Sequence, residues 1–164
     1  MNEAPLAGST TKKAVIRRYQ REALAGYVNP ASFLQPAGVE LLSEEGKVAV
    51  VPYAEIKSVA FVRDFSDGES ERRVFYTRPK MEGLWVSLKY RDGEVMEGIL
   101  PNNLLERYDH GFMIVPPDPA GRQQRIFVPR AALQSAEVLG VVGSPLRKRK
   151  AQTAAKEQPR LFEE

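Results

Sequence analysis

Residues 86–102 read VSLKYRDGEVMEGILPN, and 72 positions earlier residues 14–30 read AVIRRYQREALAGYVNP. In the later stretch Val86-Ser87-Leu88-Lys89-Tyr90 alternates apolar and polar side chains, the period of a strand with one face turned to a core. Arg91-Asp92-Gly93-Glu94 supplies a hairpin turn, and Val95–Leu100 resumes as a second strand. Gly98 inside that strand marks a bend or bulge of the kind that curves a small sheet. In the earlier stretch Glu22, Leu24 and Gly26 stand in register with Glu94, Met96 and Gly98.

The likeness continues outward from these two hairpins. GVELLSEEGKVAVVPYAEIKSV (38–59) aligns with GFMIVPPDPAGRQQRIFVPRAALQSA (111–136), which brings Val51-Pro52 onto Val128-Pro129 at an offset of 77. The added residues fall in connecting loops, where insertion is tolerated. A turn, a glycine, a second turn and a Val-Pro kept in one order point to a duplicated unit. Strands are expected at 14–19, 23–28, 38–42, 47–51 and 56–62, and again at 86–90, 95–100, 112–115, 125–128 and 133–139. Bent five-stranded units of about 50 residues belong to the small-barrel class, SH3-like, Sm-like or OB. The chain is therefore expected to be all-β: a first barrel over 12–62, a linker over 63–82, a second barrel over 83–142 and a flexible basic tail over 143–164. Within the linker, Arg73–Thr77 (RVFYT) is expected as an extra strand between the barrels.

Composition excludes several chemistries. The 164 residues contain no cysteine and one histidine, His110, so thiolate metal sites, disulfides and a two-histidine site are absent. No apolar run approaches a membrane span, and the start MNEAPLAGSTTKK lacks the layout of a signal peptide, so a cytoplasmic protein is expected. Lys and Arg number 24 against 21 for Asp and Glu, a net charge of +3. Counted locally, residues 143–164 carry six positive and three negative charges, which accounts for the whole excess. The body is close to neutral, and its charge by itself makes a weak case for nucleic acid.

The order of strands and turns resembles the Sm-like family, nearest to bacterial Hfq-type RNA chaperones. KKAVIRRYQREALAGYV and VELLSEEGKVAVVPYAEIKSV carry the resemblance in the first half, LKYRDGEVMEGIL and FVPRAALQSAEV in the second. It implies a non-catalytic RNA-binding or RNA-associated regulator. It also implies pairing of fourth and fifth strands between neighbours, either as three chains imitating a six-membered ring or between the two halves of a monomer. The Tyr-Lys-His type signature of the family is replaced here by Pro52-Tyr53-Ala54 and Pro129-Arg130-Ala131, both without the histidine. The alternative reading is a protein-interaction or assembly module that keeps the barrel and has lost nucleic-acid contacts.

On the RNA reading, phosphates meet Lys13, Arg17, Arg18 and Arg130 and the tail run Arg147, Lys148, Arg149 and Lys150, while Tyr19 and Tyr53 offer stacking surfaces. The alternative for the first cluster is an edge strand protected by charge. Gln158, Leu161 and Phe162 resemble the short Gln-x-x-Leu-Phe peptide with which bacterial replication and repair proteins dock on the DNA sliding clamp. His110 is expected as a surface residue, Asp92-Gly93 as a turn, and Glu94 as a solvent-facing strand residue. Trp85, Phe75 and Tyr76 are expected in a core or inter-barrel contact. No acid, base and nucleophile converge, so no enzyme, cofactor or metal is expected.

Overall fold

The computed structural model describes residues 10–67, 72–117 and 123–143. Among them the protein is all-β, with strands β1 (Lys12–Arg18), β2 (Arg21–Val28), β3 (Leu34–Gln35), β4 (Gly38–Ser43), β5 (Val48–Val51), β6 (Ile56–Val62), β7 (Gly83–Tyr90), β8 (Val95–Leu100), β9 (Gly111–Ile114), β10 (Gln123–Pro129) and β11 (Leu133–Val142). A curled eight-stranded sheet runs β3-β4-β2-β1-β6-β10-β9, with β5 also on β4, and a smaller sheet runs β11-β7-β8.

The pairing order of residues 12–62 is β6-β1-β2-β4-β5. In residues 83–142 the order β11-β7-β8 continues to β9-β10 through a narrow junction. There the Ile99 N–H donates to the Val115 carbonyl and the Val115 N–H to the Ile99 carbonyl, both at 3.0 Å. Each half also turns into its last strand the same way. Pro52 (φ −60°, ψ 141°) and Pro129 (φ −62°, ψ 142°) each precede a single 3-10 turn, Tyr53–Glu55 and Arg130–Ala132.

The halves are sewn together along β6 and β10, which pair antiparallel with Phe127 opposite Val59, Ile126 opposite Ala60 and Arg125 opposite Phe61. This seam explains the unbroken apolar run Val59–Val62 at the end of β6. Ile56, Val59 and Phe61 enter one core with Ala14, Ile16, Val39 and Phe127. Ala60 and Val62, on the opposite face, enter a second core with Val86, Leu88, Tyr90, Ile126 and Val128. A strand buried on both faces has no polar face to show.

The two glycines in register serve close approach between successive strands. A Cβ on Gly26 would lie 2.4 Å from the Leu42 carbonyl oxygen, and one on Gly98 would lie 2.6 Å from the Ile114 side chain. The next long strand crosses each hairpin at a point where a side chain would obstruct it.

Several expectations need correction. Arg73–Thr77 is not a strand. The segment is held by Glu97, whose N–H donates to the Arg73 carbonyl at 2.8 Å and whose carboxylate accepts from the Phe75 N–H at 3.1 Å. A side chain thus takes the place of a second ladder bond. Tyr19 lies outside β1, in the turn before β2, and the loop after β2 carries the additional strand β3. Strand β7 begins three residues earlier than expected, at Gly83, and β11 runs to Val142.

Candidate functional site

The cations expected to meet phosphate lie on β1 and around the 3-10 turns, and those described have neighbours within the fold. Lys13 is half-buried, its Nζ 5.5 Å from the Phe65 ring. Arg17 lies opposite Ser58 of β6. Arg18 Nε donates to the Glu22 carbonyl at 2.9 Å, bridging the β1–β2 turn. Arg130 is exposed, 5.9 Å from the Phe112 ring. Arg147, Lys148, Arg149, Lys150, Gln158, Leu161 and Phe162 lie outside the described residues.

The two stacking candidates are occupied. The Tyr19 hydroxyl donates to the Ala132 carbonyl at 3.0 Å, and the Arg91 guanidinium sits 4.0 Å over its ring. The Tyr53 hydroxyl donates to the Gln35 carbonyl at 2.6 Å, and its ring stacks on His110 at 4.4 Å and 15°. Burial raises the phenol pKa of both; at Tyr19 the Asp92 carboxylate adds to the rise. His110 is therefore a partner for Tyr53 rather than an isolated surface residue. A base could take the ring faces that Arg91 and His110 cover only by displacing them.

Sequence reasoning missed the residue that ties these parts together. Arg91 Nη1 donates to the Ala131 carbonyl at 3.1 Å and Nη2 to the Ala54 carbonyl at 2.7 Å, clasping the two 3-10 turns from either half. Beside it, Lys57 of β6 bonds Asp92 at 2.8 Å and also bonds Glu94, whose other oxygen meets Arg73 at 3.1 Å. Burial opposes the Lys57 charge, yet the hydrogen bonds it donates to Asp92 and Glu94 hold its pKa above the ordinary lysine value. The Asp92 carboxyl is held below its usual range by the Lys57 hydrogen bond and by the Glu94 N–H. Asp92-Gly93 forms the expected turn, but Glu94 is an inter-half ion-pair partner. The open cleft over this cluster, about 660 Å³, is lined by Tyr19, Gln20, Arg21, Glu55, Arg91 and Asp92. Its charged groups largely neutralise one another, as in the Arg21–Glu55 pair at 3.7 Å.

Trp85 packs edge-on to Phe75 and its Nε1 donates to Glu97 at 2.9 Å, whereas Tyr76 is exposed, contrary to expectation. Leu104 and Leu105 are also exposed, on the loop between β8 and β9.

The least satisfied surface lies on two strand edges. Among the described residues β5 pairs only with β4, and β11 only with β7. Val48 and Val50 on β5 are 64% and 45% exposed, and Val138 on β11 is 60% exposed, with Leu139 and Val141 exposed beside it. An open strand edge with apolar side chains is a template for another strand.

Among the described residues no three His, Asp or Glu side chains are grouped to hold a metal ion, and no helix is long and apolar enough to cross a membrane. No curated protein and no solved structure matches the chain. A family match covers residues 10–140, from just before β1 to near the end of β11, and by that match the chain belongs to the Family of unknown function (DUF6982).

Proposed function

We propose that this protein is a non-catalytic assembly module built from two five-stranded Sm-like units, 12–62 and 83–142, joined by 63–82, and that it works by strand addition at its open edges. One observation carries the reading. The β6–β10 junction is buried and continuous, while the strands in the corresponding places of the repeat, β11 and β5, expose valines on unpaired edges. The shared strand order and the matched Pro52 and Pro129 turns support the duplication and the Sm-like resemblance. The RNA reading is the weaker of the two, because Tyr19 and Tyr53 already have partners and Arg18 is bonded across the β1–β2 turn. Strand addition supplies affinity through backbone hydrogen bonds, and alternate side chains give specificity.

The test is selection of short random peptides by display against the full-length protein. Apolar, extended peptides are expected, and Val48→Lys or Val138→Lys is expected to abolish their binding without changing the unfolding midpoint. Peptides indifferent to both substitutions would overturn the reading. So would tight binding of oligo-A or oligo-U that survives moderate salt in a chain shortened to residues 1–143.

A further inference from the structure

We propose that the loop between β8 and β9 docks two-fold on the same loop of a second copy of this chain, each copy's Leu104 entering the cleft beside the other's loop. The contact uses neither open strand edge and goes beyond the reading above.

Leu104 and Leu105 each stand 91% exposed in this loop. A short turn holds them there. The Asn103 side-chain oxygen accepts from the Leu105 N–H at 3.1 Å, its Nδ2 donates to Glu106 at 3.2 Å, and the Glu106 N–H donates to the Asn103 carbonyl at 3.0 Å. Single exposed leucines are ordinary on a protein surface. Two in succession on a bonded turn form an apolar knob whose ordering cost is already met by the fold.

A cleft of about 610 Å³ opens beside this knob, and Leu104 forms part of its wall. Leu100, Phe112 and Met113 contribute further apolar lining. Knob and cleft therefore adjoin on one face. That arrangement suits a two-fold contact, in which each copy offers the same patch and receives the same patch.

The charges of the cleft point to the same occupant. Arg107, Asp109 and Arg130 line it, and none of the three makes an ion pair among the described residues. The Arg130 guanidinium lies 5.9 Å from the Phe112 ring. A nucleic acid or an acidic peptide would meet two cations here, but it would also meet the Asp109 carboxylate. A second copy matches both signs with both signs. Asp109 sits on the loop, and Arg130 sits on the 3-10 turn that follows β10. Docking the loop of one copy against the turn of the other pairs Asp109 with Arg130 twice.

The test is sedimentation of the full-length chain carrying Val48→Lys and Val138→Lys, which keeps the strand edges out of the measurement. Concentrations reach about 1 mM, because small contacts give weak dimers. A two-chain mass is expected at the upper end. Leu104→Asp, Arg130→Glu and Asp109→Lys, each added to that chain, are expected to weaken the dimer about tenfold or more. All three side chains are exposed, so the unfolding midpoint should not move. Mixing the Arg130→Glu and Asp109→Lys chains is expected to restore the dimer, since one reversed pair and one native pair then form. A single-chain mass throughout, a dimer indifferent to Leu104→Asp, or a mixture no tighter than its components would overturn the inference. So would binding of oligo-U or a polyglutamate peptide that is lost in Arg130→Glu and strengthened in Asp109→Lys, which would make the occupant an anion.

Discussion

The β6–β10 seam and the open strands β5 and β11 occupy corresponding places in the two halves, yet one pair is buried and the other is not. Ile126, Phe127 and Val128 are all 3% exposed or less, while Val48 and Val50 stand in solvent. The difference is not one of strand-forming tendency, since three of the four residues in each of VAVV and RIFV are β-branched or aromatic. It comes from position in the chain. A duplicated unit joined once can satisfy one acceptor and one donor edge internally, and the outermost edges of the pair remain. Edge strands are ordinarily blunted by charge, proline or a bulge. Here β5 carries no charged residue, and β11 carries Glu137 alone together with two irregularities in its pairing with β7, between Leu133 and Ser135 and between Val138 and Gly140.

The largest effect that separates the two regions is expected at Phe127. Its ring is fully buried, so Phe127→Ala removes packing from the first core and leaves a cavity beside Phe33, costing about 3–5 kcal/mol. Val50→Ala, the corresponding change on the open edge, is expected to cost less than about 0.5 kcal/mol in dilute protein. Chemical denaturation of the two variants checks both. Equal losses would mean that β5 is as firmly packed as β10 and would remove the contrast.

Much of this architecture was legible in the sequence. Ile56–Val62 was expected as a strand within those bounds, and its apolar stretch Val59–Val62 after a turn fits a strand buried on both faces. The glycine register and the Val-Pro pairs located the hairpins and the 3-10 turns. What stayed hidden depends on contacts distant along the chain. Tyr19 reads as an available ring, but its hydroxyl bonds Ala132, 113 residues away. Glu94 reads as solvated, but Lys57 reaches it from another strand. Val74-Phe75-Tyr76-Thr77 has strand-forming side chains, and local preference there yields to the bond with the Glu97 carboxylate. The exposed valines of β5 are indistinguishable by pattern from the buried residues of β10; the difference appears only once the neighbouring strand is known.

A smaller effect is expected at the ion cluster that braces the seam from the side. Asp92 has a depressed pKa in the fold, so its contribution is present above the ordinary aspartate value of about 3.9 and lost as pH falls through the folded value. Lys57 has a raised pKa, so its contribution is complete below about 10.4 and lost as pH rises through the folded value. Stability should therefore hold level through neutral pH and decline at both ends. With the Asp92 side chain 41% exposed, the pair contributes about 1 kcal/mol or less. Lys57→Met is expected to flatten both declines, as measured by denaturation across pH. Full retention of the acid decline in that variant would assign it to the Glu94 N–H bond on Asp92 or to other carboxylates.

The smallest effect, and the sharpest test of the comparison, is at Val138. Its seam counterpart Phe61 is buried against Phe33, and Phe61→Ala should cost several kcal/mol, about 3–5 as for other buried phenylalanines. Val138→Ala should change the unfolding free energy of the dilute protein by no more than about 0.5 kcal/mol, because 60% of the side chain is already in water. The two substitutions remove apolar atoms from equivalent places in the repeat, and they differ in side-chain size and in whether a strand covers the site. Repeating the measurement at high protein concentration adds the second half of the test. If β11 is covered by another strand under those conditions, the cost of Val138→Ala rises with concentration while that of Phe61→Ala does not. A cost that is small and independent of concentration would leave β11 as a permanently solvated edge, and the asymmetry between the halves would have no role in association.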